Sequence, residues 1–163
     1  MSCELKKEQV LKIIKSKGKE KEQLLAILLE IQQASGRNYV DKEWARIVAD
    51  ELGLPLTKVF DVLTFYAMFS TEPRGKNVIE ICKSAPCHVA NGRAVVQMFE
   101  EQLGIKMGET TADQLFTLQY TACIGACDLA PAVKIGDQVY GKLTSAKVAE
   151  IIKSYRGVST CQK

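Results

Sequence analysis

Apolar residues in the first half of the chain return every three or four positions, the spacing of one helix face. In KKEQVLKIIKSK the set is Val10, Ile13 and Ile14, with Leu11 beside it. In KEQLLAILLEIQQASG it runs through Leu24, Leu25, Leu28 and Ile31, and Gly36 offers a stop. DKEWARIVADELG has a candidate N-cap in Asp41, early acidic residues and a closing Gly53, which turns Trp44, Ile47, Val48 and Leu52 inward. PLTKVFDVLTFYAMF starts at Pro55, with Thr57 as candidate cap and Val59, Val62, Leu63 and Tyr66 on its apolar side. A small helical bundle is predicted. Core packing accounts for its aromatic residues without a cofactor pocket.

The pattern changes after STEPRGKN, residues 70–77, which holds a proline and a glycine but no apolar residue. This stretch reads as a linker and sets the expected domains at 1–72 and 73–163. Beyond it NVIEIC reads as a strand, and NGRAVVQMFEEQLG as a helix from about Gly92 to Leu103. LFTLQYTAC alternates through Phe116, Leu118 and Tyr120, as a strand does. AVKIGDQVYGKL has the form of a hairpin turning at Gly136-Asp137, and TSAKVAEIIKSY closes the chain as a helix capped by Thr144. Two strands flanking a helix permit a parallel pair; the hairpin is antiparallel. The expected fold class is therefore α+β. An N-terminal helical bundle precedes a thioredoxin-like α/β domain with a mixed sheet, and Pro131, just before the hairpin, is expected to be cis.

Composition narrows the function. The 163 residues are 47% hydrophobic and 25% charged, an ordinary globular balance. A net charge of +3 is too small to argue for nucleic acid. The seven lysines among the first 21 residues read as a solvated helix face. The longest wholly apolar run, Leu24 to Leu29, is far too short to span a bilayer. The opening MSCELKKEQ has no apolar signal core, so a cytoplasmic chain is expected. The single histidine, His88, excludes sites built on two or three imidazoles, and it reads as a neighbour of Cys87 rather than a ligand.

Six cysteines in such a chain point to metal or redox chemistry more than to disulfides. Cys3 and Cys161 lie near the termini and read as free thiols. The other four form two spaced pairs, Cys82 with Cys87 in CKSAPC and Cys123 with Cys127 in CIGAC. Each pair follows a predicted strand. If those strands are neighbours, both loops leave the sheet at one edge and the four sulfurs meet. Neither pair has the C-x-x-C spacing of thiol-exchange catalysts. Structural zinc uses compact pairs in short knuckles. A [2Fe–2S] cluster takes four thiolates, two per iron, and suits wider pairs. A Rieske centre would need two histidines. The spacing favours the cluster and leaves zinc open, in which case the chain is a zinc-stapled protein-interaction module. Gly125 and Ala126 are small enough to let backbone N–H groups approach sulfur, and the first turn of the helix near Gly92 is a further source of positive potential.

CKSAPC followed by CIGACDLAPAVKIGDQVYGKLT resembles the thioredoxin-like [2Fe–2S] subunit of NADH dehydrogenases. That family includes the small peripheral-arm subunit of respiratory complex I and the small subunits of NAD(P)-linked hydrogenases and formate dehydrogenases. The helical stretches AILLEIQQASG and ADELGLPLTKVFDVLTFYAMFSTEPRGK resemble its N-terminal segment. The resemblance implies that Cys82, Cys87, Cys123 and Cys127 hold one [2Fe–2S] cluster and that the chain transfers electrons without a catalytic site of its own. It implies a larger iron–sulfur partner subunit that binds FMN and NAD(P), with the helical domain as partner-binding surface. A hydrogenase or formate dehydrogenase catalytic subunit is a further implied partner. The absence of any G-x-G-x-x-G stretch fits a chain that leaves NAD(P) to its partner. SAPCH and VYGKLT look most like the hydrogenase small subunits, some of whose complexes bifurcate electrons. A free-standing thioredoxin-like ferredoxin is the alternative within the same cofactor class. Relatives often carry a glutamate shortly before the third cysteine; here Gln119, Tyr120 and Thr121 stand there, so a relative's potential does not transfer.

Overall fold

The structure is a computed structural model that describes residues 5–157. The chain separates into two compact units, Met1–Arg74 and Gly75–Lys163. The first is helical. Its helices are α1 (Lys7–Lys17), α2 (Leu24–Ala34), α3 (Lys42–Leu52) and α4 (Leu56–Phe65). α3 shows why the sequence stops and starts where it does. The Asp41 carboxylate accepts the Glu43 N–H at 2.7 Å, satisfying one of the orphan donors of the first turn. Gly53 then takes the left-handed conformation, φ 60°, and its N–H closes back on Ala49. Val10, Ile14, Ile27, Leu28, Ile31, Val48, Val59 and Leu63 meet in one core.

Three expectations about this unit need correction. Leu25 is exposed, and Ile27 takes the core place instead, because nearly every position of α2 is apolar and tertiary packing chooses the buried face. Thr57 lies inside α4; Pro55 occupies the cap position, its fixed φ suiting a helix start. Tyr66 falls just past the helix and is partly exposed. Buried Gln32 went unforeseen. Its amide donates to the Met68 carbonyl at 2.8 Å and accepts the Ser70 N–H at 2.9 Å, which ties the segment after α4 to α2.

The second unit holds a four-stranded sheet in the order β2-β1-β3-β4. The strands are β1 (Asn77–Cys82), β2 (Phe116–Thr121), β3 (Val133–Ile135) and β4 (Gln138–Tyr140). β1 and β2 are parallel, and Cys82 pairs with Thr121 at their C-terminal ends. β3 is antiparallel to β1 and to β4, with the tight turn at Gly136 and Asp137 as read from the sequence. Gly136 has φ 59°, the conformation such a turn demands. Helices α5 (Ala85–Val89), α6 (Gly92–Leu103) and α7 (Ser145–Gly157) complete the unit. The core joins Ile79, Ile81, Phe116, Leu118, Val133 and Ile135 of the sheet to Val95, Phe99, Val148 and Ile151 of α6 and α7. The Ala130–Pro131 peptide is cis, as expected. Tyr120, expected to alternate with Phe116 and Leu118, is half exposed and lines a concavity together with Gly92, Arg93 and Val96 of α6. The architecture is the α+β arrangement expected. No helix among the described residues is long and apolar enough to cross a membrane.

Candidate metal centre

Parallel pairing of β1 and β2 sends the two following loops out at one edge of the sheet, the usual place for a site in α/β folds. Cys82 is the last residue of β1 and is buried. The Lys83 N–H bonds the Thr121 carbonyl at 3.1 Å and holds the strand ends in step. Cys87 was expected in a loop; it sits instead in α5, a five-residue helix opened by Ser84 and Pro86, and only 2% of it is exposed. α6 then starts hard against it. A Cβ on Gly92 would lie 2.7 Å from the Cys87 carbonyl oxygen, so the close approach requires glycine.

Cys123 was expected to end β2. It stands two residues beyond the strand and, like Cys127, is exposed. Gly125, with φ 81°, lets the loop turn back, and the Cys123 and Cys127 sulfurs come to 3.8 Å. A 3₁₀ turn at Cys127–Leu129 leads to Pro131 and to Ala132, which is buried against Cys82 and Cys87. The Cys82 N–H bonds the Ala132 carbonyl at 3.2 Å. Both cysteine loops and the entry to β3 thus share one small packed cluster. Cys3 and Cys161 lie outside the described residues.

The four sulfurs act on one another. Burial disfavours the Cys82 thiolate, yet the Ser84 N–H, the Cys87 thiol, the Ser84 hydroxyl and the Ile124 N–H together outweigh it and hold its pKa below the ordinary thiol value. Burial pushes Cys87 up; the Ala132 N–H opposes this, while the Cys82 thiolate and Cys123 add to it. Cys127 is raised chiefly by its hydrogen bond to Cys123 and the charge there, with smaller contributions from burial, Cys87 and Cys82. Cys87 and Cys127 are thus each raised in part by neighbouring thiolates, a repulsion that positive charge between them would relieve. A bound metal would release that repulsion. The leading N–H donors to sulfur come from Ser84, Ile124 and Ala132. Small neighbours in CIGAC were expected to admit such a donor; it is the Ile124 N–H, and it reaches across to Cys82 of the other pair. The signal for Ser84 was present in SAP, a polar residue ahead of a helical proline.

Among the described residues, no group of three or more His, Cys, Asp or Glu side chains is set to hold a metal ion. The sulfurs here form two doublets, Cys82 with Cys87 and Cys123 with Cys127. Two doublets match the donor set of a two-metal cluster, with N–H bonds to spread thiolate charge. His88 is exposed beside the site. Sequence reasoning did not foresee a concavity of about 240 Å³ next to Cys82, lined by Lys83, His88, Arg93 and Tyr120 among others.

A mixed sheet with helices packed on it, and with a thiol pair in or after each of its two parallel strands, gives the second unit a thioredoxin-like architecture. The chain belongs to the thioredoxin-like [2Fe-2S] ferredoxin family, whose sequence profile matches residues 10–156. It is similar to the NADP-reducing hydrogenase subunit HndA of Solidesulfovibrio fructosivorans, 35% identical over 147 residues, covering 90% of this chain and 85% of that one. It is also similar to an NADH-quinone oxidoreductase subunit of Rickettsia typhi, 37% identical over 128 residues, covering 78% of this chain and 75% of that one. Among solved structures, the air-oxidized NAD+-reducing [NiFe]-hydrogenase matches with a TM-score of 0.73 at 23% identity over 85% of this chain, which spans 23% of that hydrogenase chain. At that identity the likeness concerns the fold. One [2Fe–2S] cluster is the cofactor of this family.

Proposed function

We propose that Cys82, Cys87, Cys123 and Cys127 would hold the [2Fe–2S] cluster. The chain is an electron-transfer subunit of a multi-subunit NAD(P)-linked oxidoreductase and carries no catalytic site of its own. The FMN and NAD(P) of such a complex belong to a larger partner subunit. The likeness to HndA favours a hydrogenase complex over a formate dehydrogenase. The observation that carries the site assignment is geometric: Cys82 and Cys87, at the C-terminal end of β1, pack in one cluster with Ile124 and Ala126 of the loop after β2, whose Cys123 and Cys127 sulfurs stand 3.8 Å apart.

The cluster, when bound, supplies one-electron redox chemistry. The chain's own residues supply the rest. Ser84, Ile124 and Ala132 donate N–H groups that stabilise negative charge on the Cys82 and Cys87 sulfurs. Cys82 and Cys87 are buried and shielded from water, whereas Cys123 and Cys127 are exposed. The exposed doublet is the side open to a flavin in a partner. The helical unit is free for a structural role in assembly, with Phe65 and Met68 exposed at and just past the end of α4.

The test is the electron paramagnetic resonance (EPR) spectrum of the reduced chain and of its Cys123→Ser variant. An altered signal in the variant supports the ligand assignment; an unchanged native signal removes Cys123 from it. Anaerobic co-purification addresses assembly. Recovery of a flavin-containing NAD(P)-binding subunit is the expected result, and a fully loaded monomer that never associates would favour a free carrier.

A further inference from the structure

The concavity beside Cys82 has a chemical character of its own. None of its lining residues is an aspartate or glutamate, while Lys83, His88 and Arg93 all face it. These three side chains make no ion pair or hydrogen bond among the described residues, unlike Lys17, Lys19 and Lys106, which each pair with a glutamate. Apolar surface stands beside them. Val96 and the half-exposed Tyr120 line the same concavity. Cys82 itself forms part of the wall.

We propose that this face is the docking surface for an acidic electron-transfer protein that associates transiently. The proposal rests on the reading of Cys82 as a cluster ligand. Unpaired cations around a concavity attract a carboxylate-bearing surface and raise its association rate. Arg93 presents a planar fork that accommodates a carboxylate with two parallel bonds, and Lys83 adds a second fixed charge. A permanent subunit interface is built differently. Its core is apolar and depleted of lysine, since burying unpaired charge is costly. A charged rim around Val96 and Tyr120 fits the small, wet interfaces of transient redox encounters. Electron tunnelling weakens steeply with distance, so a carrier seated against the Cys82 wall is in a productive position. One electron passes between the carrier's redox group and the chain's cluster. One is oxidised and the other reduced, and no bond is made or broken.

The test uses the full-length chain with its cluster and, as probe, a [2Fe–2S] ferredoxin of strongly negative net charge. Stopped-flow mixing gives the bimolecular electron-transfer rate, and calorimetry gives equilibrium binding of the same pair. The expected rate falls as ionic strength rises, and the Lys83→Glu/Arg93→Glu double variant slows it roughly tenfold at low salt. A Lys7→Glu/Lys12→Glu variant carries the same change in net charge on exposed positions of α1 and should leave the rate nearly unaltered. Equal slowing in the two variants, or none in the first, overturns the proposal. If the double variant loses iron, the milder Lys83→Gln/Arg93→Gln variant replaces it under the same criterion. Iron analysis together with calorimetry keeps the two readings apart. A wild-type chain that binds no iron defeats the cluster assignment, whereas binding that ignores salt and both cations defeats the docking surface.

Discussion

Replacing Gly92 with alanine tests the geometry of the site at one atom. The added Cβ would lie 2.7 Å from the Cys87 carbonyl oxygen and 3.3 Å from its carbonyl carbon. Both are backbone atoms, so no side-chain rotation relieves the contact, and α5 and α6 must separate. Overpacking of this kind costs roughly 1–3 kcal/mol. Alanine returns at most about 1 kcal/mol of helix propensity relative to glycine. The balance is a loss of about 1–2 kcal/mol, or roughly 4–15 °C in Tm for a unit of this size. Because Cys87 is almost wholly buried, the same shift moves its sulfur away from Cys82 and the Ala132 N–H. Thermal unfolding followed by circular dichroism, with iron and sulfide content after reconstitution, reads both effects. Gly157→Ala is the control, since a Cβ there meets nothing within 4 Å and its backbone needs no positive φ. A Gly92→Ala chain as stable as the parent and equally loaded would refute the reasoning.

Other outcomes follow from single contacts. Asp41→Ala removes the cap on α3 and should cost about 1 kcal/mol in urea unfolding, with Asp41→Asn recovering most of it; equal stability of all three chains counts against the cap. Asp113 is held below the usual carboxylate range by the Thr111 hydroxyl first and then the Leu115 N–H. Its stabilisation is therefore present above the unfolded carboxylate pKa and is lost as pH falls through the lower folded value, so Asp113→Asn should flatten the acid limb of stability against pH. Tyr155 is pushed up to about 12, mainly by burial and next by the Tyr140 hydroxyl at 3.1 Å. That contribution is full below the ordinary phenol pKa and disappears as pH rises towards about 12. Tyr140→Phe should bring the Tyr155 titration, followed by nuclear magnetic resonance, only part of the way back, since burial remains; a complete return would assign the shift to the hydroxyl instead.

Elements with local punctuation were legible in the sequence. Asp41 and Gly53 bracket α3, the left-handed Asn91 and Gly104 bracket α6, and Gly136-Asp137 marks the hairpin. Each boundary is decided by a residue whose own conformation forces it. α5 was not legible, because five residues with an internal proline carry no periodicity to detect. The inward set of α2 was misread at Leu25 because nearly every position there is apolar, and only tertiary packing chooses the face. At the candidate site the spacing of the cysteines showed which residues to watch. It carried nothing about the Ile124 and Ala132 N–H groups, whose approach to sulfur depends on how two distant loops pack. The basic concavity was hidden for the same reason: Lys83, His88, Arg93 and Tyr120 come from four different elements or loops.

The central claim is that two remote thiol doublets enclose a diiron cluster. Metal and acid-labile sulfide analysis of anaerobically purified chain addresses it most directly. The account predicts about two irons and about two sulfides per chain, with negligible zinc. One zinc per chain with no sulfide would contradict it.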